Sequence, residues 1–217
     1  MDDDLDALIA RVSPDLWLAS RFIANPAERA DVIALYAYDH ELSRAPRATS
    51  NALMGEIRLT WWREVLDEIF ESRPVRRHPA AQGLAGAVSR RNLPRASLEA
   101  MLDARYDELG GRRPEGADRS GWADGVGGAL MDLSARILDP ASTPAMTASA
   151  GRLFALGRLG AAPSDLQAER RRARREVRAL SVAAFPAVLP AALAGRGAAP
   201  ALSRRIRLTW SAATGRI

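Results

Sequence analysis

The 217-residue chain has no cysteine and no lysine, and only two histidines. Without cysteine there can be no disulfide, no thiolate metal site and no cysteine nucleophile. Without lysine there can be no Schiff base and no phosphate-loop lysine. His40 and His78 are too few for a multi-histidine metal cage, and neither sits in a nucleophile-elbow context. No run approaches the roughly 18 apolar residues that a membrane-spanning helix needs. Convincing strands, internal repeats and a domain boundary are also missing. The start Met1-Asp2-Asp3-Asp4 is the reverse of a basic signal-peptide start. A cytoplasmic location follows as the expectation, with peripheral contact at the inner membrane as its extension.

What is present is apolar residue and arginine. The apolar fraction of 47% can build a sizeable core, so residues 1–217 read as a single all-α domain. Residues 1–12 read as an acidic tail, and 195–217 as a region holding a short basic C-terminal helix. All 31 of the Lys/Arg class are arginine, and the net charge is +5. The planar guanidinium fork suits phosphate because it can bind two oxygens at once.

Helix signals dominate. Ser13-Pro14 pairs a cap residue with proline at the first helical position, and Asn25-Pro26-Ala27-Glu28 repeats the signal with a capping-box glutamate. Asp31 to Leu42 is apolar along most faces, which predicts a central helix. Met54, Ile57, Trp61, Val65 and Ile69 recur at helical spacing and predict an amphipathic helix, with Arg63 and Asp67 able to pair on the other side. Further helices are predicted over about 80–90, 94–109, 122–138, 144–159, 164–178 and 202–210. That gives a bundle of seven to nine helices. Ser164-Asp165-Leu166-Gln167 reads as a capping box for the arginine-rich segment.

Several segments then read together. Asp15-Leu16-Trp17-Leu18-Ala19-Ser20-Arg21-Phe22 precedes Ile33-Ala34-Leu35-Tyr36-Ala37-Tyr38. Glu56 to Glu64, with its Trp61-Trp62-Arg63-Glu64, comes next, followed by Pro74-Val75-Arg76-Arg77-His78-Pro79. This succession resembles the squalene/phytoene synthase family, closest to the branch that includes a phytoene-synthase-like assembly factor of mitochondrial complex I. The resemblance implies an all-α isoprenoid-synthase fold in shortened form. Active members condense two prenyl diphosphates head to head, with two aspartate motifs on facing helices holding magnesium between carboxylates and diphosphate.

Both motifs are replaced in this chain. The first should fall where Ser43-Arg44-Ala45-Pro46-Arg47 stands, and the second near Leu153 to Leu159, where there is no aspartate. A guanidinium beside a divalent cation repels it by about 4 kcal/mol per unit charge at about 4 Å and an effective dielectric of about 20. The resemblance therefore implies a catalytically degenerate member with no catalytic residues and no cofactor. Its expected role is to bind a prenyl diphosphate or other lipid, or to assist assembly of a membrane-protein complex.

The candidate ligand-binding residues are Arg44 and Arg47, which share a helical face at i,i+3, together with Tyr38, His40 and Trp62. Each has a plainer reading. The arginines could be a solvated pair, His40 a structural histidine beside Asp39 and Glu41, and either tryptophan core. One alternative is an active prenyltransferase in which Asp103 and Asp107, at i,i+4, hold magnesium. Another is a peripheral membrane adaptor using the segment Glu169 to Arg178, with six arginines and two glutamates, and the apolar stretch after it lying on the bilayer. No nucleic-acid recognition motif is present.

Overall fold

The computed structural model describes residues 2–46, 52–112, 114–116, 118–195 and 200–217. Among the described residues there is no strand, and eleven α-helices are found. They are α1 (Asp2–Val12), α2 (Pro14–Ser20), α3 (Pro26–Arg44), α4 (Ala52–Phe70), α5 (Pro79–Arg91), α6 (Arg95–Tyr106), α7 (Asp118–Ala123), α8 (Ala129–Leu138), α9 (Ala148–Leu159), α10 (Pro163–Glu176) and α11 (Ala201–Thr214). The count exceeds the predicted seven to nine because short segments also wind up. Residues 2–12, read from the sequence as a tail, form a helix whose Leu5 and Ile9 are buried.

The central helix is α3. Asn25 caps it, its side-chain oxygen accepting from the Ala27 and Glu28 amides at 2.9 and 3.4 Å. Every residue from Asp31 to Asp39 is buried, and α1, α2, α5, α6 and α8 all pack on it. Near its N-terminal end Asp31, fully buried, accepts from Arg90 at 2.5 Å and from Arg91 at 2.7 Å, which ties α3 to the C-terminal end of α5.

The α4 face differs from the predicted stripe. Gly55, Leu59, Trp62, Val65 and Leu66 face the core, whereas Met54 and Ile57 are 50% and 54% exposed. Arg63 and Asp67 reach α6 instead of each other, Arg63 to Asp103 and Asp67 to Arg95, each at 2.5 Å.

A π-helical turn, Asp124–Gly128, joins α7 to α8. Its Gly127 crosses α9 at Gly151 so closely that a Cβ on Gly127 would lie 2.0 Å from the Gly151 carbonyl oxygen. Pro163 opens α10 after Ala162, with no side-chain cap, so Ser164 does not serve as one. The proline-containing 3-10 stretch Phe185–Leu193 is buried along its whole length. It packs on α2, α8, α9 and α11, so the segment expected on a bilayer belongs to the core. No described helix is long and apolar enough to cross a membrane.

Candidate functional site

The resemblance places opposing acids on α3 and α9. What joins those helices is an ion pair. Asp39 of α3 is buried and accepts from Arg158 of α9 at 3.2 Å through one oxygen and from Arg105 of α6 at 2.7 Å through the other. Arg105, also buried, donates to Glu108 at 2.7 Å, and the Trp122 indole N–H donates to the same carboxylate oxygen at 2.9 Å. Two guanidiniums face two carboxylates, so the cluster is formally neutral. Burial alone would push the Asp39 carboxyl upward, but the Arg105 and Arg158 guanidiniums outweigh it and hold the group below the usual carboxylate range. Burial likewise opposes the charge on Arg105, and Asp39 and Glu108 outweigh it.

This arrangement does not fit a divalent cation. Both Asp39 oxygens already accept from guanidiniums, and a magnesium site needs carboxylate oxygens free to ligate. One turn on, the Ser43 hydroxyl donates to the His40 carbonyl at 2.7 Å. Among the described residues no three of His, Asp and Glu gather in a way that could hold a metal. Asp103 and Asp107 are both exposed, and Asp103 is engaged by Arg63.

Open space is found elsewhere on α3, at its C-terminal end. A cleft of about 420 Å³ runs between the C-terminal end of α3, the outer face of α4 and the turn before α5. Met54 and Ile57 give it an apolar side. Trp61 and Trp62 form its wall, perpendicular to each other with ring centroids 5.0 Å apart. His78 completes the wall, edge-on to Trp61 and Trp62 at 5.5 and 5.4 Å. The turn that carries His78 is clamped onto α4. The Arg76 guanidinium donates to Glu68 at 2.6 and 2.8 Å and to Glu64 at 3.1 Å, and stacks over Trp61 at 5.0 Å. Pro79 at the first helical position then makes His78 the N-cap residue of α5, although its side chain caps nothing.

The polar end of the cleft is basic. Arg44 pairs with Glu41 at 3.0 Å. Arg58 has no ion-pair partner among the described residues, and its Nη1 is buried without a hydrogen bond, as is Nδ1 of His78. Buried orphans of this kind are uncommon in a settled core. A partly buried guanidinium without a carboxylate, next to an apolar and aromatic wall, matches the two ends of an anionic amphiphile.

Of the residues predicted from sequence, Arg44 and Trp62 come together on this cleft. Tyr38 sits one layer behind, edge-on to Trp62 at 5.3 Å, with its hydroxyl donating to the Leu98 carbonyl at 3.0 Å. Trp62 itself is almost fully buried, so its contact with a ligand is confined to a ring edge. His40 is half-buried and does not line the cleft. Burial lowers its pKa, Arg44 and Arg158 push the same way, and Glu41 and Asp39 oppose. Arg47 lies outside the described residues. Sequence reasoning did not single out Arg58 or His78 as ligand-binding candidates, and it placed Met54 and Ile57 on the apolar stripe of α4. The available signal was that Arg58 lies one helical turn from both Met54 and Trp61, on the α4 face that the predicted stripe defined.

Comparison with known proteins agrees with this architecture. A solved dehydrosqualene synthase in complex with ligand superposes with a TM-score of 0.78, over 99% of this chain and 95% of that one, at 12% identity. That likeness is one of fold. Two curated relatives, the NADH dehydrogenase (ubiquinone) complex I, assembly factor 6 of Bos taurus and of Homo sapiens, are each 33% identical over 85 residues. The match takes in 39% of this chain and only a quarter of each relative's length. The squalene/phytoene synthase family profile matches residues 9–162, well over half of the sequence; by that match the chain belongs to the squalene/phytoene synthase family.

Proposed function

We propose that this protein is a non-catalytic member of its family that holds a prenyl diphosphate, or a lipid of like charge and shape, in the cleft between α3 and α4. The observation that carries the reading is the double occupation of Asp39 by Arg105 and Arg158. With α3 and α9 locked by a neutral cluster, no carboxylate there is available to gather magnesium around a diphosphate. The cleft between α3 and α4 offers the opposite chemistry: an unpaired Arg58, a half-engaged Arg44 and apolar walls. A charged hydrogen bond contributes about 1.5–3 kcal/mol, so one guanidinium on a phosphate is worth roughly ten- to a hundredfold in affinity.

Two measurements on the same protein test this. Incubation with farnesyl or geranylgeranyl diphosphate and magnesium should give no head-to-head product. Calorimetric titration with the same diphosphates should show binding that Arg58→Gln weakens by about tenfold or more. Turnover at a useful rate would overturn the non-catalytic reading. Binding unaffected by Arg58→Gln would move the ligand out of this cleft.

A second reading is support for the assembly of a membrane complex. The 33% match to complex I assembly factor 6 favours it, and an occupied lipid cleft is compatible with such a role.

A further inference from the structure

The C-terminal helix α11 carries no acidic residue. One side, at Leu208 and Ser211, is buried, and Arg204 ties the helix to Asp15 of α2 at 2.6 Å. The opposite side bears Leu202, Ile206 and Trp210, which are 69%, 61% and 44% exposed. At i, i+4 and i+8 they fall within an arc of about 80°, a continuous apolar stripe. Arg205, exposed and without an ion-pair partner among the described residues, flanks it. At the C-terminal end of α11 a second apolar feature adjoins. A trough of about 410 Å³ has Ala212, Ala213 and Gly215 on one side and Arg178 and Val182 on the other. Val182 is 94% exposed, and Arg178 is exposed with no ion-pair partner among the described residues. The Arg174 guanidinium donates to the Ile217 carbonyl at 2.8 Å, which holds the arginine-rich α10 against this end.

We infer that this face docks on an anionic lipid surface, with Leu202, Ile206 and Trp210 entering the interface and Arg178 and Arg205 meeting the headgroups. An exposed stripe of large apolar side chains, rimmed by unpaired guanidiniums and free of carboxylates, is complementary to an anionic bilayer. Tryptophan suits the boundary because it has an apolar body and a polar N–H. The face is separate from the α3/α4 cleft, so the two proposals stand or fall independently. It also relocates the apolar half of the contact. The 3-10 stretch Phe185–Leu193 is core, and Leu202, Ile206 and Trp210 of α11 supply the large exposed side chains.

The test uses the whole chain with vesicles of phosphatidylcholine alone or with phosphatidylglycerol added. Sedimentation should show binding at least about tenfold stronger to the anionic vesicles, falling as salt is raised. Replacing Leu202, Ile206 and Trp210 by serine together should abolish it. Arg178→Glu with Arg205→Glu should remove the preference for anionic lipid. Should the triple variant fold poorly, the conservative Trp210→Phe still decides: vesicles should shift wild-type tryptophan emission to the blue and leave that of the variant nearly unmoved. Equal binding to both vesicle types, an unchanged blue shift in Trp210→Phe, or a lipid-free dimer that the triple variant dissolves would each overturn the inference, the last by making the face a contact between copies.

Discussion

Arg105 and Asp39 are both almost completely buried, 2% exposed at the side chain in each case, and their nearest charged atoms are 2.7 Å apart. A pair so far from water owes its stability to completeness, because desolvation costs several kcal/mol per ion and only mutual attraction and further hydrogen bonds offset it. Here Glu108, Arg158 and Trp122 supply the remainder.

The first expectation concerns removal of one member. Arg105→Met leaves Glu108 in place and strips Asp39 of its shorter contact. It should destabilise the fold by about 3–5 kcal/mol, the usual penalty for orphaning a buried charge. Adding Asp39→Asn should recover part of that loss, because the uncompensated charge is then gone. Urea denaturation of the two variants provides the comparison; a double variant less stable than Arg105→Met would contradict the argument.

The same cluster sets an acid dependence with a defined sign. The folded pKa of Asp39 lies below its ordinary 3.8, so its contribution is fully present above pH 3.8 and is lost as pH falls through the lower, folded value. The pKa of His40 is also depressed, from 6.5, chiefly by burial. Below about pH 6.5 the unfolded chain therefore takes up a proton that the folded one resists. Stability should decline in two stages on acidification. His40→Gln should remove the earlier stage and Asp39→Asn should blunt the later one. Denaturation midpoints measured from pH 8 to pH 3 resolve them, and coincident curves for wild type and His40→Gln would dispose of the first stage.

How far these features could be read from sequence depends on whether local pattern or distant pairing decides them. The central place of α3 was legible because apolar residues cover nearly all its faces between Asp31 and Leu42. The buried face of α4 was not. Gly55, Leu59, Trp62 and Leu66 fit a 3.6-residue period as well as Met54, Ile57 and Trp61 do, with Val65 buried in either register, and the choice was made by packing on α5 and α6. That Ser43-Arg44 and Leu153 to Leu159 carry no acid could be read directly. That Arg105 and Arg158 would close on Asp39 could not, since 66 and 119 residues separate the partners. Short N-terminal helices are stabilised by tertiary contact more than by propensity, which is why residues 2–12 read as a tail.

The crossing of the π-helical turn with α9 gives a sharp steric contrast. A Cβ on Gly127 would meet the Gly151 carbonyl oxygen at 2.0 Å, and one on Gly151 would meet the Gly127 oxygen at 2.4 Å. Both obstacles are backbone, so neither can rotate aside. Gly127→Ala and Gly151→Ala should each cost roughly 3 kcal/mol or more through overpacking. The adjacent Gly128→Ala meets only the Asp124 side chain at 3.5 Å, an ordinary contact, and should be neutral or slightly stabilising because alanine favours helix by about 1 kcal/mol over glycine. Thermal denaturation of the three variants separates the cases. A Gly127→Ala protein as stable as Gly128→Ala would mean that the two helices do not cross this closely.

Adjacent tryptophans should divide stability from binding. Trp62 is 1% exposed and packs edge-on against Tyr38, Trp61 and His78. Trp62→Ala should therefore cost about 3–5 kcal/mol, as large aromatic truncations in a core do. Trp61 is only partly buried, and its outer face carries the Arg76 guanidinium at 5.0 Å. Trp61→Ala should cost no more than about 1–2 kcal/mol, the cation–π contact and part of the ring's burial. At the cleft the order is expected to reverse. Trp61 offers a ring to an incoming apolar chain whereas Trp62 offers an edge, so at a temperature where both variants are folded Trp61→Ala should weaken farnesyl diphosphate binding more than the milder core substitution Trp62→Phe. Paired melting curves and calorimetric titrations measure both orders. If Trp61→Ala left binding unchanged while Arg58→Gln reduced it, the ligand would be held by its charged end alone, with its chain directed past Met54 and Ile57 into solvent.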